Sequence, residues 1–295
     1  MTRGLSIDKL PPIGMTSMTF WNCTVEEALP QVAEMGYDAV EVWAEHLWRD
    51  DLNPASVACS LETHGLRRTV HCPIMDLNIT SPNAGIREES VHQNIQAITL
   101  AHDLGAELVI VHPGALFSKH DSLDTYWEWQ LAAFERFVVE ALRLGVRLAV
   151  ENMDVQSKKE VVKTAQDIRR ITDHFAPGEL GFILDTTHLG TLELNLNLIA
   201  QIDEIAHVHV SDAEVMPSGQ VRTHLPLGEG KLDFKRLLEA LLPRLTGILQ
   251  FETFIPPGNP DKVLAQKEYL EKIIIELDCD TNSNSHRPGR YPPGE

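Results

Sequence analysis

GFILDTTHLGTLELNLNLIAQIDEIAHVHVSD, residues 181–212, decides the fold. It opens on a short apolar run, Gly181–Asp185, that stops at an acid. It closes on a second run, Ile205–His209, that stops at a histidine. The interval between them is long enough for a helix, so the unit reads as strand, helix and parallel strand. The same alternation continues outward in both directions. Apolar, β-branched runs bounded by turn residues recur at Ile13–Phe20, Ala39–Trp43, Arg68–His71, Leu108–His112, Arg147–Glu151 and Gly247–Glu252. The intervals carry helical period. Phe134, Val138, Ala141 and Leu142 share one face of a helix ending near Gly145; Leu237, Leu238, Leu241 and Leu242 share another after Asp233. Eight strands alternating with eight helical segments predict a (β/α)8 TIM barrel, a single domain over residues 1–279. An open doubly wound sheet fits less well, because no GxGxxG follows the first strand.

In such a barrel the active site lies at the C-terminal ends of the strands. Strands three to eight end, in order, at His71, His112, Glu151, Asp185, His209 and Glu252, all of which can donate to a metal. Several carboxylates buried at one mouth cannot all ionise without a cation between them, so the pattern calls for a divalent metal. Asp185 and His188, in DTTH, sit three residues apart at a strand-to-helix turn where both can face one cavity. His207 and His209 share one strand face; the later one is nearer the mouth and is the ligand, and His207 is structural. Asp212 either orients a ligating histidine or caps a turn. Trp21 and Trp43, near the ends of the first two strands, offer an apolar wall for a sugar ring, with core packing as the alternative.

Other chemistries lack their residues. There is no GxSxG elbow, no P-loop and no paired-cysteine zinc spacing among Cys23, Cys59, Cys72 and Cys279. With 25 Lys plus Arg against 43 Asp plus Glu, the net charge of −18 opposes nucleic acid and anionic membrane surfaces. No apolar run is long enough to span a membrane, and Met1 to Gly14 lacks a secretory h-region, so a cytoplasmic protein is expected. Two connections, Cys72–Ser90 and Asp212–Gly230, are too long for simple turns and are expected to be either functional or disordered. Residues 280–295 read as a polar, Pro/Gly-rich tail, either a flexible end or a contact for a second copy in a homo-oligomer.

At these residues the chain resembles the xylose isomerase-like barrel superfamily, which holds sugar isomerases and epimerases together with endonuclease IV-type repair enzymes. The matching segments are VHCPIMDLNITSP (70–82), VHPGA (111–115), VENM (150–153), LDTTH (184–188), HVHVSD (207–212), HLPLGEG (224–230) and FET (251–253). The resemblance implies that Glu151, Asp185, His209 and Glu252 hold one divalent metal: Mn2+, Mg2+, Zn2+ or Co2+. It implies that Glu151 and Glu252 act as base and acid on a small sugar through a metal-stabilised enediolate, and that His188 contacts the substrate. His71 and His112 line the same mouth. In the nuclease members the positions of His71, His112, His188 and His224 complete a multi-zinc cluster, which makes a phosphodiesterase the alternative. A lyase or dehydratase and a non-catalytic sugar-binding barrel are further alternatives. Two departures oppose the nuclease. Arg222 stands where it has a metal-binding aspartate, and Ile74 where it has a tyrosine. A guanidinium beside a metal site is expected to meet an anionic group of the substrate, or else to pair with Glu214 or Glu229.

Overall fold

The computed structural model describes residues 11–256 and 258–285. Eight parallel strands close into a barrel: β1 (Ile13–Thr16), β2 (Ala39–Trp43), β3 (Arg67–His71), β4 (Leu108–Val111), β5 (Arg147–Glu151), β6 (Gly181–Asp185), β7 (His207–Val210) and, last in the chain, Leu249–Phe251. Helices alternate with them: α1 (Val25–Glu34), α2 (Ala44–Arg49), α3 (Pro54–Thr63), α4 (Ala84–Leu104), α5 (Leu123–Leu144), α6 (Ala165–Thr172), α7 (Leu192–Gln201), α8 (Phe234–Leu241) and α9 (Pro260–Ser285). Local sequence sets their ends. Thr24 and Glu27 form a reciprocal capping box at the start of α1, and Gly105 and Gly145 close α4 and α5 in left-handed conformation.

Alternation along the strands sorts the core into two parts. Val40, Val42, Val70, Val109, Val111, Leu148, Val150, Phe182, Leu184, Val208 and Val210 point outward into one apolar layer with the helices. The lumen carries a small apolar cluster of Leu108, Ile110, Ala149, Ile183 and Ala206. Polar residues Glu41, Thr69, His71, Glu151, His207, His209 and Gln250 occupy the complementary phase of their strands, and all are buried. Gly14 makes room for this polar half, since a Cβ there would come within 2.0 Å of Gln250 Oε1.

The sequence reading needs correction in several places. The first predicted strand stops at Thr16, where the Thr16 side chain caps a 3-10 turn over Ser17–Phe20. His112 and Glu252 lie one residue beyond their strands, and Ile205 makes only an isolated bridge to Leu245. The loop after the third strand gives way to α4 at Ala84, where Asn83 caps it. The connection after β7 is not irregular: β8 (Asp212–Val215) and β9 (Val221–Leu225) pair as an antiparallel hairpin, so the final barrel strand becomes β10. Helix α9 runs to Ser285, into the region read as tail; residues 286–295 lie outside the described residues. No helix among the described residues is long and apolar enough to cross a membrane.

Candidate metal centre

Glu151, Asp185, His209 and Glu252 each present a donor atom, and the four atoms lie within 4.8 Å of one another at the barrel mouth. The strand ends aim them. Each closes, or nearly closes, one of β5, β6, β7 and β10, and parallel pairing sets Asp185 beside His209. His209 Nδ1 is 2.8 Å from Glu252 Oε2 and 3.3 Å from Glu151 Oε1. Buried Asp185 Oδ2 has no hydrogen-bond partner, and buried Glu151 Oε2 and Glu252 Oε2 have only imidazole nitrogens beside them, without hydrogen-bond geometry. Three carboxylates with orphaned oxygens and one imidazole nitrogen, all turned to one point, suit a divalent cation.

In the protein alone, His209 answers that charge. Burial opposes its protonation, but Glu41, Glu252 and Glu151 outweigh burial and hold its pKa well above the usual range. Burial likewise raises the Glu252 carboxyl, yet His209 beside it brings the value down to about 2. Glu151 is also held well below the ordinary carboxylate range, its burial outweighed by His209 and His112. A metal held here would compete with the proton on His209.

Three further donor groups adjoin the first: His71, His112 and Glu151; Asp185, His188 and His224; and Glu41, His207 and His209. His112 Nε2 approaches Glu151 Oε2 at 3.2 Å and His71 Nε2 approaches it at 3.7 Å. Backbone carbonyls fix three of the rings. Nδ1 of His71 faces Cys72 O at 2.7 Å, that of His188 faces Asn152 O at 2.7 Å, and that of His224 faces Glu252 O at 3.1 Å. Each of these rings thereby donates Nδ1–H and turns Nε2 elsewhere. Asp185 Oδ1 accepts from the backbone N–H of Thr187 and His188, which folds the DTTH turn and leaves Oδ2 for the site. His188 is pushed down by burial but pulled up more strongly by Asp185 and Glu151, to about 9. His224 holds a left-handed backbone, φ 53°, a strained conformation at a site where its ring meets His188 edge-on.

The remaining sequence-predicted residues divide. Trp43 stacks on His71 with centroids 4.3 Å apart, and both side chains are buried. Trp21 packs instead against His46 and beneath the Arg49 guanidinium. Arg222, with its side chain 53% exposed on β9, pairs with Glu214 Oε2 at 3.3 Å, the alternative partner offered by the sequence. Asp212 orients no histidine; its two oxygens accept from the backbone N–H groups of Ala213, Gly228, Gly230 and Leu232. Sequence reasoning missed Glu41, a lone acid inside the apolar strand AVEVW, where that isolation was the available signal. It also missed Glu160, whose loop gave none. Glu160 joins Ile74, Leu77, Asn78, His112 and Met153 around a cavity of about 210 Å³ beside the site. Burial pushes its carboxyl up. Another cavity, of about 260 Å³ at the opposite end of the barrel, is lined by Gly181, Asp203, Glu204 and Ala206 and touches none of the donor groups.

Comparison with known proteins places this architecture. Residues 29–273 match the family described as xylose isomerase-like TIM barrel. An uncharacterized protein of Methanocaldococcus jannaschii is 27% identical over 276 residues, covering 88% of this chain and 89% of that protein. A probable endonuclease 4 of Mycobacterium leprae is 27% identical over 177 residues, 58% of this chain and 67% of that one. Among solved structures, a D-tagatose 3-epimerase-like protein superposes with a TM-score of 0.78 at 22% identity, covering 92% of this chain and 99% of its own.

Proposed function

The chain belongs to the xylose isomerase-like TIM barrel family, and from that premise we propose that it is a divalent-metal-dependent isomerase or epimerase of a small sugar. The observation that carries the proposal is the convergence of Glu151 and Glu252 with Asp185 and His209 on one buried point. Glu151, Asp185, His209 and Glu252 would hold the metal. When bound, it supplies Lewis-acid stabilisation of the substrate oxygens on which negative charge develops. Glu151, ionised and buried, would take the proton from the carbon beside the carbonyl; Glu252, ionised at rest, would first accept a proton from solvent or a substrate hydroxyl and then return it to the other face or to the neighbouring carbon. His188, with Nδ1 committed to Asn152 O, offers its other nitrogen to a substrate oxygen. Trp43, stacked on His71, would back the histidines at the mouth against which the sugar lies. The adjoining cavity supports a neutral, hydroxylated substrate over a phosphorylated one: Glu160 and Asn78 line it, with no lysine or arginine among its described residues. Its epimerase-like structural neighbour is consistent with this chemistry.

The test is elemental analysis followed by a panel of free sugars and sugar phosphates in deuterated water. Solvent deuterium should enter a carbon of an unphosphorylated sugar, and Glu151→Gln should lower that rate by roughly two to four orders of magnitude. Metal-loaded protein that labels no sugar would remove the proposal. A second reading, a metal-dependent phosphodiesterase, is favoured by the two additional histidine groups at the mouth and by the endonuclease 4 relative.

A further inference from the structure

His209 differs from the other histidines at the mouth. His71, His188 and His224 spend Nδ1 on backbone carbonyls, whereas Nδ1 of His209 faces Glu151 and Glu252. Its Nε2 lies 3.1 Å from Glu41 Oε1, and these two buried atoms have no hydrogen-bond partner elsewhere among the described residues. Glu41 is fully buried on β2, and its other oxygen accepts from Thr69 Oγ1 at 2.9 Å and lies 3.4 Å from His207 Nε2. A charged side chain this deep in a barrel is costly unless something requires it.

We infer that Glu41 is the positioning residue for His209. It accepts the Nε2 proton and so presents Nδ1, as a lone pair, to the carboxylates of Glu151, Asp185 and Glu252. A neutral imidazole carries one ring proton, and the nitrogen that ligates is the one without it. A carboxylate below the ring fixes that proton on Nε2, orients the plane and raises the basicity of Nδ1. Thr69 and His207 hold Glu41 from the sides, which accounts for a histidine at 207 that does not reach the mouth. The lumen beneath the mouth is thus an outer layer of the metal centre and not only packing.

This inference rests on the proposed four-residue metal site, and the experiment separates the two. Zn2+ affinity is measured on the full-length protein by competition with a chelator of known affinity, for wild type, Glu41→Gln and Thr69→Val. Glu41→Gln keeps the volume but loses the charge, and should weaken Zn2+ binding about 10–100-fold. Thr69→Val should weaken it less, in the same direction. In Zn2+-loaded protein with 15N-labelled histidine, two-bond proton–nitrogen spectra should show His209 protonated at Nε2, its proton shifted downfield by the carboxylate. That signal should move upfield in Glu41→Gln, a change a purely structural role would not produce. Wild-type affinity in Glu41→Gln, or a His209 proton on Nδ1, overturns the inference while leaving the metal site intact. Wild-type protein that takes up no Zn2+ overturns both.

Discussion

At the scale of single residues, the site is a charge balance with two solutions. Without a metal, Glu41, Glu252 and Glu151 around His209 favour its protonated form; a cation held by the same groups would compete with that proton. Asp185→Ala and His209→Ala should therefore each lose most of the bound metal in protein that remains folded, and unchanged stoichiometry in both would dismantle the assignment. His188 gives a pH signature in chelator-treated protein. Its folded pKa of about 9 lies above the ordinary 6.5, so its contribution to stability is complete below 6.5 and fades as pH rises through 9. The melting temperature of metal-free protein should fall across that window, and His188→Gln should flatten the decline. A profile equally steep in the variant would assign it to other groups. The convergence of Glu151, Asp185, His209 and Glu252 was legible in the sequence because each stands at or within one residue of the end of a barrel strand. Glu41 stood out equally as a lone acid in AVEVW, but in mid-strand, where a strand buried on both sides hides which alternate positions face the lumen and what a polar residue there would serve.

At the scale of elements, the β8–β9 hairpin was read as a long loop because VMPSGQVRTHL shows no clean two-residue alternation. What orders it is Asp212, whose carboxylate gathers four backbone N–H groups, from Ala213, Gly228, Gly230 and Leu232. Long-range hydrogen bonding of this kind has no local sequence signature. Asp212→Ala would leave those donors without their acceptor, at a cost of about 2–4 kcal/mol. Thermal melts should record the loss, and amide exchange should quicken across 212–232 more than in the barrel strands. Arg222, on the same hairpin, is joined to Glu214 at an exposed position where such pairs contribute little. Arg222→Ala should leave KM for the active sugar within about twofold of wild type, and for its phosphorylated analogue as well. A tenfold rise for the phosphorylated compound alone would mean that the side chain leaves Glu214 to bind the anion.

At the scale of the whole molecule, the donor geometry and the electrostatics point in different directions, and the difference can be measured. The mouth assembles three donor groups that share Glu151 and Asp185, enough to hold more than one metal. That arrangement by itself is as compatible with phosphodiester hydrolysis as with proton transfer, since clustered cations can clamp the attacking and leaving oxygens. The body that carries it has a net charge of −18. A DNA-binding protein gains much of its affinity from Lys and Arg that displace counterions from phosphates, and a net negative field opposes that approach at physiological salt. The hairpin beside His224 offers Arg222, but it is paired with Glu214, and the cavity beside His112 is lined by Glu160. Charge should therefore decide against a polyanionic duplex. Purified protein, loaded with Zn2+ or Mn2+ and incubated with duplex DNA containing an abasic site at physiological salt, should leave the strand intact while remaining competent in sugar labelling. If incision appears instead, depends on the metal and vanishes in Glu252→Gln, the histidine groups would be serving phosphate chemistry and the phosphodiesterase reading would take precedence.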